Sequence, residues 1–170
     1  MRKFSSLDCR VRGWQNFGSM VVSGATTVSI QIGTSDDLQD DKAFPNRLSS
    51  MINKSYGHQR VDPVDMFKRL SGAGQPPLAK ELPHLANGNE AEIGRTNRVL
   101  HLAYRDGELV GACSSTVQPA WTPTNCGHWG MLAVAPAAQG SGVASALVAA
   151  AERRLVVCGC SMVQVEPAAA

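Results

Sequence analysis

At 170 residues the chain has the length of one domain built around one core. Its 44% hydrophobic and 18% charged residues match an ordinary globular protein and argue against wholesale disorder. A formal charge of +2 without a long basic run gives no reason to expect nucleic acid as a partner, and no apolar stretch nears the ~20 residues of a membrane span.

Cys9, Cys113, Cys126, Cys158 and Cys160 form an odd set without a Cys-x-x-Cys pair, so reduced thiols are expected. His58, His84, His101 and His128 are scattered without ligand spacing, and no metal is expected. Residues 1–26 read as an N-terminal extension: Arg2, Lys3, Arg10 and Arg12 face a single acid, Asp8. That composition suits a disordered tail, an added surface strand or an organelle-targeting segment, with the cytoplasm as the default location.

The main domain is expected over 27–170. Val28, Ile30 and Ile32 alternate with polar residues, predicting a strand over 27–32 that Gly33 ends. Pro45 interrupts the next segment, so a helix is expected from about Asn46 to Tyr56, stopped by Gly57. A shorter helix starts near Asp62, with Pro63 in its first turn, and runs to Leu70 before Gly72. From 72 to 97 prolines and glycines predict a long loop with short helical pieces over 78–85, either a substrate-facing lid or a plain insertion. Segments 99–104 and 108–116 form a hairpin through Arg105, Asp106 and Gly107, where Asp-Gly tolerates the positive φ of a type I′ turn. After a loop over 119–125, 128–134 makes a further strand ended by Pro136. Val143, Leu147, Ala151 and Leu155 recur every four residues in a helix over 140–157, with Glu152, Arg153 and Arg154 on other faces. Gly159 closes that helix and 162–166 is the last strand, giving a βαβ unit with a parallel pair.

The chemistry concentrates where strand 128–134 meets the helix, in Gln139-Gly140-Ser141-Gly142-Val143-Ala144. Two glycines remove side chains where a ligand approaches the backbone, and the first-turn amides point outward to accept negative charge. Read without context, the same turn is an ordinary tight strand-to-helix connection. It lacks the Lys-Ser or Lys-Thr pair of a Walker loop and does not complete G-x-G-x-x-G.

Gln139-x-x-Gly142-x-Ala144, preceded by Leu132-Ala133-Val134-x-Pro136, resembles the signature of the GCN5-related N-acetyltransferase (GNAT) family. The resemblance implies an α/β (α+β mixed sheet) fold of the acyl-CoA N-acyltransferase kind, here ending after its fifth strand. It implies acetyl-CoA as co-substrate, with its diphosphate on the amides of Gln139, Gly140, Ser141, Gly142, Val143 and Ala144. Its pantetheine arm would pair with the backbone around Leu132, Ala133 and Val134 as an added strand. The implied reaction is direct acetyl transfer to a primary amine of a small molecule or a protein.

A protonated amine cannot attack a thioester, so a base is required. His128 stands six residues before Val134, where the histone-acetylating branch of the family carries a glutamate, and is the candidate base. Alternation places His128, Gly130, Leu132 and Val134 on one strand face. The family's usual tyrosine acid lies on a helix after the fifth strand and has no counterpart here. Loss of that acid makes the alternative a catalytically deficient CoA-binding or interaction module. The outer edge of strand 162–166 is expected to stay unpaired and to invite a second copy or an N-terminal strand drawn from 11–23. Trp121 and Trp129 either frame an acceptor site or anchor their loops.

Overall fold

The computed structural model describes residues 2–3, 17–22, 26–73 and 98–165. In chain order they form β1 (Arg2–Lys3), β2 (Phe17–Val22), β3 (Thr26–Gly33), α1 (Asp36–Asp40), α2 (Phe44–Tyr56) and α3 (Pro63–Ser71). Then come β4 (Arg98–Arg105), β5 (Glu108–Thr116), β6 (Cys126–Val134), a 3-10 turn over Pro136–Ala138, α4 (Val143–Val157) and β7 (Met162–Val165). Glu166, and the helical pieces expected over 78–85, lie outside the described residues.

The strands make one sheet in the order β1-β7-β6-β5-β4-β3-β2, antiparallel throughout except for the parallel pair β6–β7. Helices cover both faces. Phe44, Leu48, Ile52, Met66 and Leu70 of α2 and α3 pack on Leu100, Leu102, Ala112 and Ala133. On the other face Val143, Leu147, Ala150 and Ala151 of α4 pack on Val28, Ile30, Cys113 and Val134.

Local chemistry explains most boundaries. Asp106 (φ 52°) and Gly107 (φ 78°) both take the left-handed conformation that a type I′ hairpin needs. The Asp62 carboxylate accepts the Asp65 amide at 2.8 Å and caps α3. Helix α2 begins at Phe44, earlier than expected, because Pro45 falls in its first turn, where a missing N–H costs nothing. Strand β3 continues through Gly33, where an added Cβ would lie 2.6 Å from Leu70 Cδ2; the glycine admits α3 to the sheet.

Two features depart from expectation. The outer edge of β7 is paired at Met162 and Val163 by the antiparallel backbone of Arg2–Lys3, while Phe17–Val22 joins the opposite edge beside β3. Arg154, expected on a polar face of α4, is only 1% exposed and points into the sheet. Its Nη1 donates to the Ser115 carbonyl at 3.3 Å and to Ser115 Oγ at 3.1 Å, and these bonds make the burial tolerable. Ser115 Oγ also lies 2.8 Å from His101 Nε2. A hydroxyl accepting from a guanidinium has its own proton to donate, so His101 serves as a neutral acceptor.

Burial first, and the charge of Arg154 second, push the His101 pKa down to about 3. The unfolded chain therefore binds a proton that the folded chain refuses as pH falls from roughly 6.5 toward 3. Stability is expected to drop through that window by up to ~1.4 kcal/mol per pH unit from this residue. Urea melts of His101→Gln should show a flatter slope between pH 6 and 4; an unchanged slope would assign the acid loss to other groups.

Candidate active site

Strand β6 carries a bulge that decides the site. Ala112 pairs with Ala133 but Ser114 pairs with Gly130, so β6 holds one extra residue opposite Cys113, and Met131 takes φ 52°. Alternation is reset there. His128 and Gly130 share a face with Ala133, toward α2 and α3, whereas Leu132 and Val134 face α4. The expectation of one face for His128, Leu132 and Val134 is thus corrected: a period-2 reading does not register an inserted residue.

The bulge follows the last described pair of the parallel strands. The β6–β7 ladder runs from Cys126–Met162 to Trp129–Val165, and β6 continues over 130–134 beyond its last described partner. A linear ligand can lie against that edge as an added strand. Part of it is engaged within the chain: the Val134 N–H donates to Ser55 Oγ at 3.0 Å and the Val134 carbonyl accepts from Gln139 Nε2 at 3.2 Å. Val134 therefore pairs with a bound arm only if Ser55 releases it. Leu132 and Ala133 stand on the same stretch, half-buried and buried respectively.

Beyond Pro136 the chain turns through Gly140 (φ 73°) and Gly142 (φ 84°), the latter the N-cap of α4. The Gln139 amide is used on the Pro136 carbonyl at 3.3 Å, so it is removed from the expected cradle. Among the described residues the amides of Gly140, Ser141, Gly142, Val143, Ala144 and Ser145 have no hydrogen-bond acceptor, and the first backbone bond of α4 is Ala146 to Gly142 at 3.1 Å. A Cβ on Gly140 would meet nothing within 4 Å. Ser141 Oγ donates to the Ala138 carbonyl at 2.6 Å and receives Arg105 Nη1 at 3.4 Å, which brings a cation to the turn. An anion with several oxygens fits such a group of donors. Between α2 and the chain just after β6, a cleft of roughly 470 Å³ is lined by Asn46, Arg47, Ser50, Met51, Lys54, Ala135 and Pro136.

His128 is buried at 6% exposure. Its ring leans along the strand over Gly130, where an added Cβ would lie 2.9 Å from His128 Cε1, so the missing side chain makes room for the imidazole beside the bulge. Trp121, 58% exposed, meets the ring edge-on with centroids 6.0 Å apart. The loop that carries it is held by Thr122 Oγ1, 2.8 Å from the carbonyls of both Pro119 and Cys126. Trp129 packs with the α4-side core instead. Other titratable groups are less suited to catalysis: burial pushes the Cys113 thiol up to about 12 and the Cys160 thiol up to about 11. Among the described residues no group of three or more His, Cys, Asp or Glu side chains could hold a metal ion, and no helix is long and apolar enough to cross a membrane.

Ser55 and Arg105 carried no sequence signal, because each meets the site only through the fold: Ser55 is 79 positions from Val134 and Arg105 is 36 from Ser141.

A mixed sheet whose parallel pair β6–β7 is joined through a glycine turn with outward amides and a helix defines an acyltransferase-type fold of the GNAT kind. Residues 65–170 match the model of the Acetyltransferase (GNAT) family, more than half of the chain, and the chain belongs to that family. No curated protein matches it significantly. Among solved structures it is similar to an acetyltransferase of Trypanosoma brucei (17% identity, 83% of each chain, TM-score 0.50). It is also similar to an aminoglycoside acetyltransferase from an uncultured soil metagenomic sample, solved with sisomicin (19% identity, 82% of this chain and 77% of that one, TM-score 0.52). A third is aminoglycoside N-acetyltransferase AAC(6')-Iy in complex with CoA (13% identity, 87% and 82%, TM-score 0.54). At such identities these likenesses speak for the fold.

Proposed function

We propose that this protein transfers acetyl from acetyl-CoA to a primary amine, with His128 as the general base. The observation that carries the reading is the set of amides from Gly140 to Ser145, without acceptors among the described residues, next to the stretch of β6 over 130–134, which has no strand partner on its β7 side among the described residues. The amides and Arg105 suit the diphosphate, and the β6 edge around Leu132 suits the pantetheine amides. When bound, acetyl-CoA supplies an activated acyl group.

The chain's own residues have three tasks. The turn fixes the anionic end, the strand edge orients the thioester end, and the imidazole takes the proton that an ammonium must lose before it can attack. The bulge places the imidazole on the α2–α3 side of the sheet while the glycine turn opens α4 on the other, so amine and co-substrate approach from different sides. The CoA-bound and sisomicin-bound neighbours agree with a small-molecule amine as acceptor.

Calorimetry with acetyl-CoA, CoA and ADP, followed by thiol release with a panel of amines, tests the reading. Binding that requires the pantetheine arm, with thiol released on adding amine, is expected. Equal affinity for ADP would point to a plain nucleotide binder, and CoA binding without release for any amine would point to a non-catalytic CoA-binding module.

A further inference from the structure

On the His128 side of the sheet the cross-strand partners Arg98, Thr116 and His128 stand in register on β4, β5 and β6. Partners in antiparallel ladders share a face, and strands lie about 4.8 Å apart, so Arg98 is two spacings, roughly 10 Å, from His128. Arg98 Nε donates to Thr116 Oγ1 at 3.0 Å, which aims the guanidinium across the face and leaves its terminal nitrogens without a partner among the described residues. Arg69, in the last turn of α3, precedes Leu70, whose Cδ2 lies 2.6 Å from a Cβ added at Gly33, the cross-strand partner of Leu100, so this turn lies over β4 close to Arg98. Burial first and the charge of Arg98 second lower the Arg69 pKa, and Asp65 opposes. Among the described residues neither arginine is in an ion pair. Two half-buried guanidiniums repel one another, and an anion between them relieves that repulsion while accepting from their forked donors.

We infer that the acceptor carries, besides its amine, an anionic group, a carboxylate or a phosphate, which Arg69 and Arg98 hold while the amine lies at His128. This inference rests on the acetyl-transfer reading and adds the acceptor's chemical class. Trp121 meets the His128 ring edge-on, so the amine end of the acceptor lies near an exposed aromatic side chain.

Thiol release from acetyl-CoA compared within amine pairs tests it: 5-aminopentanoate against pentylamine, and O-phosphoethanolamine against ethanolamine. The anionic member of at least one pair should show kcat/KM higher by roughly 10- to 100-fold, mostly through KM, and the pair that responds identifies the anion. In Arg69→Gln and Arg98→Gln, checked for folding by thermal melts, the ratio should fall toward one, and Arg98→Lys should recover only part of it. Equal rates within both pairs in the wild-type protein, or ratios that survive both substitutions, overturn the anionic acceptor and leave acetyl transfer standing. No release with any amine, despite bound acetyl-CoA, would instead sink acetyl transfer and the inference with it.

Discussion

Replacing His128 with alanine is expected to lower kcat/KM for the amine by about 100-fold or more while acetyl-CoA affinity stays within about twofold. The imidazole stands on the α2–α3 face one residue before the last described β6–β7 pair, Trp129–Val165, and a positioned base contributes roughly 10² to 10⁴ in rate. It lies apart from the glycine turn, so co-substrate binding should not register its loss. Gly130→Ala offers a check that leaves the base in the chain. Its new methyl would stand 2.9 Å from His128 Cε1, a collision, so the ring must swing away and much of the rate should go with it. Steady-state kinetics with calorimetry on both variants decide the matter. Full activity in His128→Ala would remove the histidine from the chemistry.

Replacing Gly142 with valine is expected to weaken acetyl-CoA binding by about 100-fold or more. A β-branched residue at φ 84° is strained by more than the ~1–2 kcal/mol that left-handed backbone costs ordinary residues. Rotating the peptide back relieves the strain and turns the amides at the start of α4 away from the ligand. A hydrogen bond to a charged group contributes ~1.5–3 kcal/mol, so losing two gives at least that hundredfold. Gly57→Val is the control, since Gly57 (φ 72°) ends α2 in the same conformation with open space around it. It should lower the melting temperature and leave the CoA dissociation constant alone. Equal weakening in both variants would mean that general destabilisation is being read.

Most of the elements, and the glycine turn before α4, were legible in the sequence because their causes are local. The Asp106-Gly107 hairpin, the Asp62 cap and the Gly140-x-Gly142 turn each arise from backbone preferences that a residue carries wherever it sits. The parallel β6–β7 pair was legible likewise, since a helix of that length between two strands leaves little other topology.

Tertiary structure decided the rest. The extra residue at Met131 moved His128 to the α2–α3 face, and it shows only in register with β5. Arg154 turned inward because Ser115 and His101, on other elements, were there to receive it. Ser55 on Val134, Arg105 at the turn and Arg98 beside Thr116 are meetings across 79, 36 and 18 positions. Sequence by itself determined which backbone conformations were available and that a glycine turn would open the helix after β6, because those energies act over a few residues. Which side chains face that turn, and which stand beside His128, was settled only when packing two helical layers on one sheet chose among contacts that no local preference encodes.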